Sequence, residues 1–215
     1  MRISLFLLAI VLAMSLPIAA TARPISYPGG WTTMSMNDAD SNMVHVNYTF
    51  TPKYSVGYVT EYWREEEWQF HGAQYNYLAK RWNNPGSQAN FYLQAAAGAA
   101  HSDFGNFDNK NEFAGFAGAE IDWEDRRYFT SYENRLVYAG DIAKFFTHKA
   151  RVGVAPYVGD YGDLHTWLML QVDNNPGNKD EITVTPLVRF FKSDYLVEVG
   201  VNNEGNALIN ATLRF

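Results

Sequence analysis

The chain ends in ALINATLRF (residues 207–215), and the fold prediction rests on the pattern in this stretch. Apolar side chains recur at every second position from Ala207 to Phe215, and the positions between them are polar except for Leu208. Successive side chains of a β-strand point to opposite faces. A period of two therefore indicates a strand with one apolar face and one polar face.

The same alternation recurs upstream, for example over Phe113–Ile121, Leu164–Val172 and Tyr195–Val201. Turn signals rich in asparagine, proline and glycine separate such runs, as at Asn83–Gly86 and Asn174–Gly177. We therefore predict an all-β chain of about twelve strands, with ten as the alternative count. The predicted strands cover about residues 30–36, 43–50, 54–63, 68–82, 88–101, 112–123, 127–139, 149–157, 164–173, 181–192, 195–202 and 206–215.

Composition narrows the fold class further. The 215-residue chain is 47% hydrophobic and 16% aromatic, yet its mean hydropathy is only −0.28. After residue 22, no window approaches the roughly 18 continuous apolar residues that a spanning helix needs. Such a chain can cross a bilayer with strands that alternate between lipid and a polar lumen, so we predict a transmembrane antiparallel β-barrel. Short turns are expected at its periplasmic end and longer loops outside.

The N-terminus is typical of an export signal. Arg2 is followed by the apolar run Ile3–Met14, and Ala20-Thr21-Ala22 supplies a small-residue cleavage site. We predict a cleaved signal peptide over residues 1–22 and a single barrel domain over residues 23–215. The protein is then expected to pass the inner membrane and to reside in the outer membrane.

Charge and cysteine content exclude several classes of function. The chain has 17 basic and 23 acidic residues, a net charge of −6, and no basic run, so a nucleic-acid partner is not expected. It contains no cysteine, which excludes disulfides and thiolate metal sites.

The C-terminal pattern resembles the terminal strand that the barrel-assembly machinery of Gram-negative bacteria reads. Phe215, preceded by Leu213, Ala211 and Ile209, matches that pattern. The resemblance implies an outer-membrane barrel whose partners are membrane lipid and the assembly machinery, with Phe215 as the assembly signal. Segments such as Tyr27–Trp31 and Glu61–Arg64 are similar to a family of small exported proteobacterial proteins of unassigned activity; that resemblance suggests a link to metal handling.

The first predicted hairpin carries a candidate metal site. Paired positions in an antiparallel hairpin share a constant sum of residue numbers, and Met36 with Met43 and Met34 with His45 satisfy the same sum. All four side chains would then face the lumen, where three thioethers and an imidazole suit Cu(I) or Ag(I). The alternative is that the methionines fill irregular space and His45 is a polar wall residue. No other cofactor is expected.

Charged residues are predicted to line the lumen. The strand phases place there Glu61, Lys80, Glu120, Glu133, Arg135, Arg189, Glu198 and Arg214. These charges either form ion pairs that fill the interior or line a selective pore. Aromatic residues at strand ends are predicted to form the interfacial girdles: Tyr62, Trp63, Trp68, Trp82, Trp123, Tyr128 and Tyr195.

Two segments are hard to assign to regular strands. Pro186 lies mid-strand, where its missing N–H predicts a bulge or a different strand boundary. Asp141–His148 is compatible with a short helical turn within a loop.

An enzymatic reading rests on His101-Ser102-Asp103 at an outer strand end. It resembles the His-x-Ser of an outer-membrane lipid A deacylase family, but adjacent strand residues point to opposite faces. We therefore predict no catalytic residues and no enzyme. The leading hypothesis is a small pore or binding barrel for ions or small solutes, linked to copper or silver handling if the metal site exists. A lumen-plugged structural or envelope-stress barrel is the alternative, and an outer-leaflet lipid hydrolase is the third.

Overall fold

The computed structural model describes residues 23–160 and 162–215, so the predicted signal peptide lies outside the described residues. The chain forms a closed barrel of antiparallel strands in which every strand pairs with its neighbours in the sequence. The twelve strands are β1 (Trp31–Asn37), β2 (Ser41–Thr51), β3 (Tyr54–Trp63), β4 (Trp68–Asn84), β5 (Ser87–Ser102), β6 (Lys110–Asp125), β7 (Tyr128–Ala139), β8 (Ala143–Val154), β9 (His165–Asn175), β10 (Lys179–Lys192), β11 (Tyr195–Val201) and β12 (Ala207–Arg214). Over the described ranges, no helix is both long and apolar enough to cross a membrane.

The barrel closes between its first and last strands. The Trp31 amide donates to the Phe215 carbonyl at 2.6 Å, and the Phe215 amide donates to the Trp31 carbonyl at 3.0 Å. Closure removes the free edges that would otherwise expose unpaired backbone groups. Both described chain ends therefore lie at one end of the barrel, which we call the terminal end; the other is the loop end.

The alternation in β12 gives the strand one inward polar face and one outward apolar face, as predicted. Leu208, Asn210 and Thr212 are buried inside the barrel, whereas Ile209 and Phe215 are exposed on its outer face. The other strands follow the same rule, with valine, leucine and aromatic side chains outside and many polar side chains inside. A barrel with an apolar outer wall and a polar interior is suited to a bilayer.

Strand β8 differs from its prediction. It begins at Ala143 rather than residue 149, so the suggestion of a helical turn over Asp141–His148 is wrong. A tight turn at 140–142 connects it to β7, with a hydrogen bond from the Ile142 amide to the Ala139 carbonyl at 2.9 Å. Phe145 faces inward and Phe146 outward, and two adjacent aromatics obscure the alternation. The connection from β8 to β9, at the terminal end, is the longest in the barrel although a short turn was expected there.

Pro186 lies in a regular stretch of β10, so the prediction of a bulge or a changed boundary there is wrong. It pairs with Leu170 of β9, and the register shift of this strand pair lies at Lys179/Ile182 instead. On the other side, the pairing of β10 with β11 extends only as far as Leu187. The missing N–H of proline is tolerated because Pro186 lies where the pairing with β11 ends.

Candidate functional site: the barrel interior

A polar cavity runs through one side of the barrel. It encloses about 1430 Å³ of empty space, part of it open to solvent. Its wall extends from Asp38 and Asn206 at the loop end to Pro24 at the terminal end. Polar and charged residues dominate the rest of the wall, including Gln94, Glu120, Ser131, Glu133, Lys149, Arg151, Asp173, Thr183, Thr185, Glu198 and Asn210.

The opposite side of the interior, towards the loop end, is filled by apolar side chains. We call this group the interior apolar cluster: Met43, Val59, Trp63, Trp68, Phe70, Ala96, Ala100, Ala114, Phe116, Val137, Ala139, Ile142 and Phe145. Trp63 stacks on Trp68 with ring centroids 6.0 Å apart. Trp63 and Phe145 pack edge to face, with ring centroids 4.8 Å apart. At the loop end, the open space is therefore displaced from the barrel axis towards β1, β2 and the C-terminal strands.

The aromatic girdle prediction is wrong at two positions. Trp63 and Trp68 are 2% and 1% exposed, inside the barrel. They are register partners across the β3–β4 turn, in phase with the inward residues Glu61 and Phe70. The remaining predicted girdle residues are exposed at strand ends: Tyr62, Trp82, Trp123, Tyr128 and Tyr195.

Buried ion pairs cross the interior. Arg135 Nη2 lies 3.0 Å from Glu61 Oε1. Glu198 accepts hydrogen bonds from Arg189 at 2.7 Å and from Arg151 at 3.3 Å. Such pairs balance charges that would be very unfavourable if buried alone. Several charged residues that were predicted to line the lumen thus form ion pairs that join strands across the interior.

Two further predicted lumen carboxylates lie on neighbouring strands of the cavity wall. Glu120 and Glu133 are register partners on β6 and β7, and both line the cavity. Glu120 accepts a hydrogen bond from Gln94 at 3.2 Å. Lys149, the register partner of Glu133 on β8, lines the same part of the cavity. Arg214, the last of the predicted lumen residues, also lies on the inward face of β12 and is largely buried.

Lys80 does not reach the lumen, contrary to the prediction. The β4–β5 register shifts between Leu78 and Lys80, so the alternation of β4 changes phase there. Lys80 is exposed, with its ammonium 6.0 Å from the ring centroid of Trp82. Arg81 takes the inward position and donates to Asn90 at 2.7 Å.

Sequence reasoning did not assign Lys149 and Arg151 to the lumen, although both lie within the predicted strand over residues 149–157. It also missed Arg23, which precedes the first strand and carries no periodic signal. A lysine and an arginine two apart, on the same phase as Phe145, could have revealed the inward face of β8.

The predicted hairpin register is confirmed. Met34 pairs with His45 and Met36 with Met43, and all four side chains line the cavity. His45 Nδ1 lies 2.6 Å from Gln74 Oε1, and an Arg135 nitrogen lies 3.9 Å from the Met43 sulfur. The described residues contain no group of three or more histidine, cysteine or carboxylate side chains placed to hold a metal. The soft-metal site stays a prediction.

His101 and Ser102 point to opposite sides of the wall. Ser102 is buried, and its hydroxyl donates to the Glu67 carbonyl at 3.4 Å. The His101 ring is on the outer side, with Nε2 3.0 Å from Asp103 Oδ2 and Nδ1 3.0 Å from Asn111 Oδ1. A general base must contact the nucleophile that it activates, so this arrangement does not form a hydrolytic site.

The loop end is braced by polar contacts. The Arg64 guanidinium donates to the carbonyls of Asp38 and Ala39, and the Asn175 amide donates to the Asp40 carboxylate at 2.7 Å. Farther round the rim, the Lys110 ammonium donates to Asp141 at 2.8 Å. This hydrogen bond lowers the pKa of Asp141 below its ordinary value.

These features define a class by fold: a closed, porin-like antiparallel β-barrel with twelve strands, an apolar outer wall and a polar cavity. Among solved structures, the chain is similar to "KdgM porin", with a TM-score of 0.51, 8% identity, and coverage of 86% of this chain and 98% of that one. At this identity the likeness shows the fold alone.

Two further solved structures are similar to the chain. "KdgM porin in complex with disordered oligogalacturonate" has a TM-score of 0.49 and 9% identity over 86% of this chain and 98% of that one. The Acinetobacter baumannii outer membrane protein Omp33 has a TM-score of 0.43 and 11% identity over 90% and 99%. No protein-family model matches the chain, and no curated protein matches it.

Proposed function

We propose that the protein is an exported outer-membrane pore for ions and small hydrophilic solutes, and not an enzyme. One observation carries the proposal: a polar cavity extends inside a closed barrel from the loop end to Pro24 at the terminal end. The apolar outer wall supports a location in a bilayer, and we propose membrane lipid and the barrel-assembly machinery as partners. The terminal end then faces the periplasm, as in bacterial single-chain barrels.

The geometry favours small solutes over large ones. The interior apolar cluster fills one side of the barrel interior towards the loop end. Ion pairs such as Glu61–Arg135 cross part of the remaining interior. At the loop end, a solute must therefore pass along the wall formed by β1, β2 and the C-terminal strands, whereas deeper in the barrel the path also borders Gln94, Glu120 and Ser131 on β5–β7. Carboxylates, amides and hydroxyls on that wall can replace water around a hydrated ion or a small polar molecule.

The absence of cysteine from the sequence allows a direct test of this path. Ser131 lines the cavity, while its neighbour Thr130 is exposed on the outer face. We expect Ser131→Cys channels in a planar bilayer to lose current when a charged methanethiosulfonate reagent is added. Thr130→Cys is the matched control and should keep its current. A Ser131→Cys current that is insensitive to a reagent shown by mass spectrometry to have reacted would contradict the path.

A structural barrel without transport is the second candidate function. The interior apolar cluster and the buried ion pairs favour it, because both stabilise a filled interior. This candidate predicts a heat-modifiable outer-membrane barrel on SDS gels that carries no current in any variant. The pore proposal predicts the same gel behaviour together with measurable conductance, so conductance separates the two.

A further inference from the structure

The segment before β1 lies inside the barrel at the terminal end. Arg23 is 7% exposed and Ile25 is 5% exposed, and Pro24 between them is buried and forms part of the cavity wall. The four residues Arg23–Ser26 belong to no strand. A short segment outside the strand ladder therefore stands at the terminal end of the polar cavity.

A built guanidinium site holds Arg23. Its Nη2 lies 2.6 Å from Glu124 and 3.3 Å from Asp122, and its Nη1 donates to the Gln88 side chain. The two carboxylate side chains are only 4% and 3% exposed. Two carboxylates that are buried side by side require a cation, and the planar, multi-donor guanidinium is the side chain that fits such a pair best.

The remaining contacts of the segment are few and local. Ile25 packs against Leu78 and Tyr92. The Ser55 hydroxyl donates to the Pro24 carbonyl at 2.9 Å, and the Ser26 amide donates to the Thr49 hydroxyl at 3.0 Å. The partners in these two hydrogen bonds are side chains and not a neighbouring strand. Release of the segment would thus leave the barrel ladder intact.

We propose that Arg23–Ser26 is a gate at the periplasmic end of the pore, latched by a guanidinium site formed by Gln88, Asp122 and Glu124. With Arg23 in this site, Pro24 and Ile25 narrow the inner end of the cavity. When Arg23 leaves, the segment swings out and the cavity opens to the periplasm. The site binds a guanidinium group, and in the closed state Arg23 of the same chain supplies that group. The gate rests on the proposed pore function.

The first test removes the latch. In planar bilayers we expect Arg23→Ala to raise the mean open fraction by about threefold or more, because the closed state loses its main attachment. Arg126→Ala is the matched control: Arg126 is an exposed arginine in a turn at the same end, whose guanidinium contacts Gly159 and Asp160. Its loss should leave the open fraction unchanged.

The second test locks the gate. Ile25 and Leu78 belong to one buried cluster with Tyr92, so we expect Ile25→Cys with Leu78→Cys to form a disulfide on oxidation, which mass spectrometry verifies. We expect the oxidised channel to stay at low conductance and the reduced channel to recover. A current that stays at the wild-type level after the disulfide has formed would overturn the gate and leave the pore standing. No current through wild type, Arg23→Ala and the reduced double variant would overturn both.

Discussion

At the residue scale, the interior is organised around buried charges that have specific partners. Glu61 is almost wholly buried and meets Arg135 at 3.0 Å. Arg135 also lies over the ring of Phe116, with 5.0 Å between the guanidinium carbon and the ring centroid. The pair therefore joins β3 to β7 across the barrel and borders the interior apolar cluster. Removal of one partner leaves the other as an uncompensated charge.

We expect Arg135→Met to lower the free energy of unfolding by about 3 kcal/mol, since Glu61 then has no counter-charge. The double variant Glu61→Gln with Arg135→Met should recover most of that loss, because no buried charge remains. Urea titration of the barrel in detergent micelles measures both values. The exposed arginine variant Arg126→Met should stay within about 0.5 kcal/mol of wild type. A double variant no more stable than Arg135→Met would contradict the account.

The candidate soft-metal site has its own test at this scale. The confirmed register brings Met34, Met36, Met43 and His45 to one wall, and soft ligands of this kind prefer Cu(I) and Ag(I). We expect isothermal titration of the barrel with Ag(I) to show about one bound ion, and Met34→Leu with Met36→Leu to remove the binding. Met169→Leu, a buried methionine outside the set, is the control. Equal Ag(I) binding by all three proteins would end the metal prediction.

At the element scale, strand lengths are unequal around the barrel. Strands β4, β5 and β6 have 17, 16 and 16 residues, whereas β1 and β11 have 7 each. A spanning strand needs roughly 9–11 residues, so the long strands project beyond the bilayer. Close packing within this long sheet depends on small residues. At Gly98, an added Cβ would fall on the backbone carbonyl of His71 in β4.

We expect Gly98→Ala to destabilise the barrel by about 2 kcal/mol, because the backbone of β4 must move to admit the methyl group. The measurement is the urea midpoint of unfolding in micelles. Ala99→Val, at the adjacent lipid-facing position, adds more volume on the open outer face and should have little effect. A larger loss for Ala99→Val than for Gly98→Ala would show that outer-face packing, rather than strand approach, limits this sheet.

Local patterns within single strands determine which parts of the structure could be predicted from the sequence. Period-two alternation is a local signal, so it correctly predicted the strand number and the register of the β1–β2 hairpin. It failed at Lys80, where a bulge changes the phase, and at Phe145, where aromatics occupy both faces. The interior apolar cluster could not be predicted, because Trp63 of β3 and Phe145 of β8 meet only after the barrel has closed.

At the scale of the whole molecule, the cavity wall has an unequal balance of charge. Seven carboxylates line it and three arginine or lysine residues do so: Asp38, Asp40, Glu61, Glu120, Glu133, Asp173 and Glu198 against Arg135, Lys149 and Arg151. Arg135 is engaged by Glu61, and Arg151 by Glu198. The adjacent pair Glu120 and Glu133 lies in the middle of this wall, next to Lys149, the register partner of Glu133. A confined path with walls of one sign concentrates ions of the opposite sign.

We expect the open pore to favour cations, so that a KCl gradient across a planar bilayer produces a reversal potential of cation-selective sign. Glu120→Gln with Glu133→Gln should lower the cation-to-anion permeability ratio by about twofold or more, because the wall loses two of its seven carboxylates. Glu204→Gln, at an exposed position of the β11–β12 loop, removes the same charge from the rim and is the control. The selectivity should rise at low salt, where screening weakens. If both variants shift the reversal potential equally, the overall charge of the protein sets selectivity, and Glu120 and Glu133 have no special place in the path.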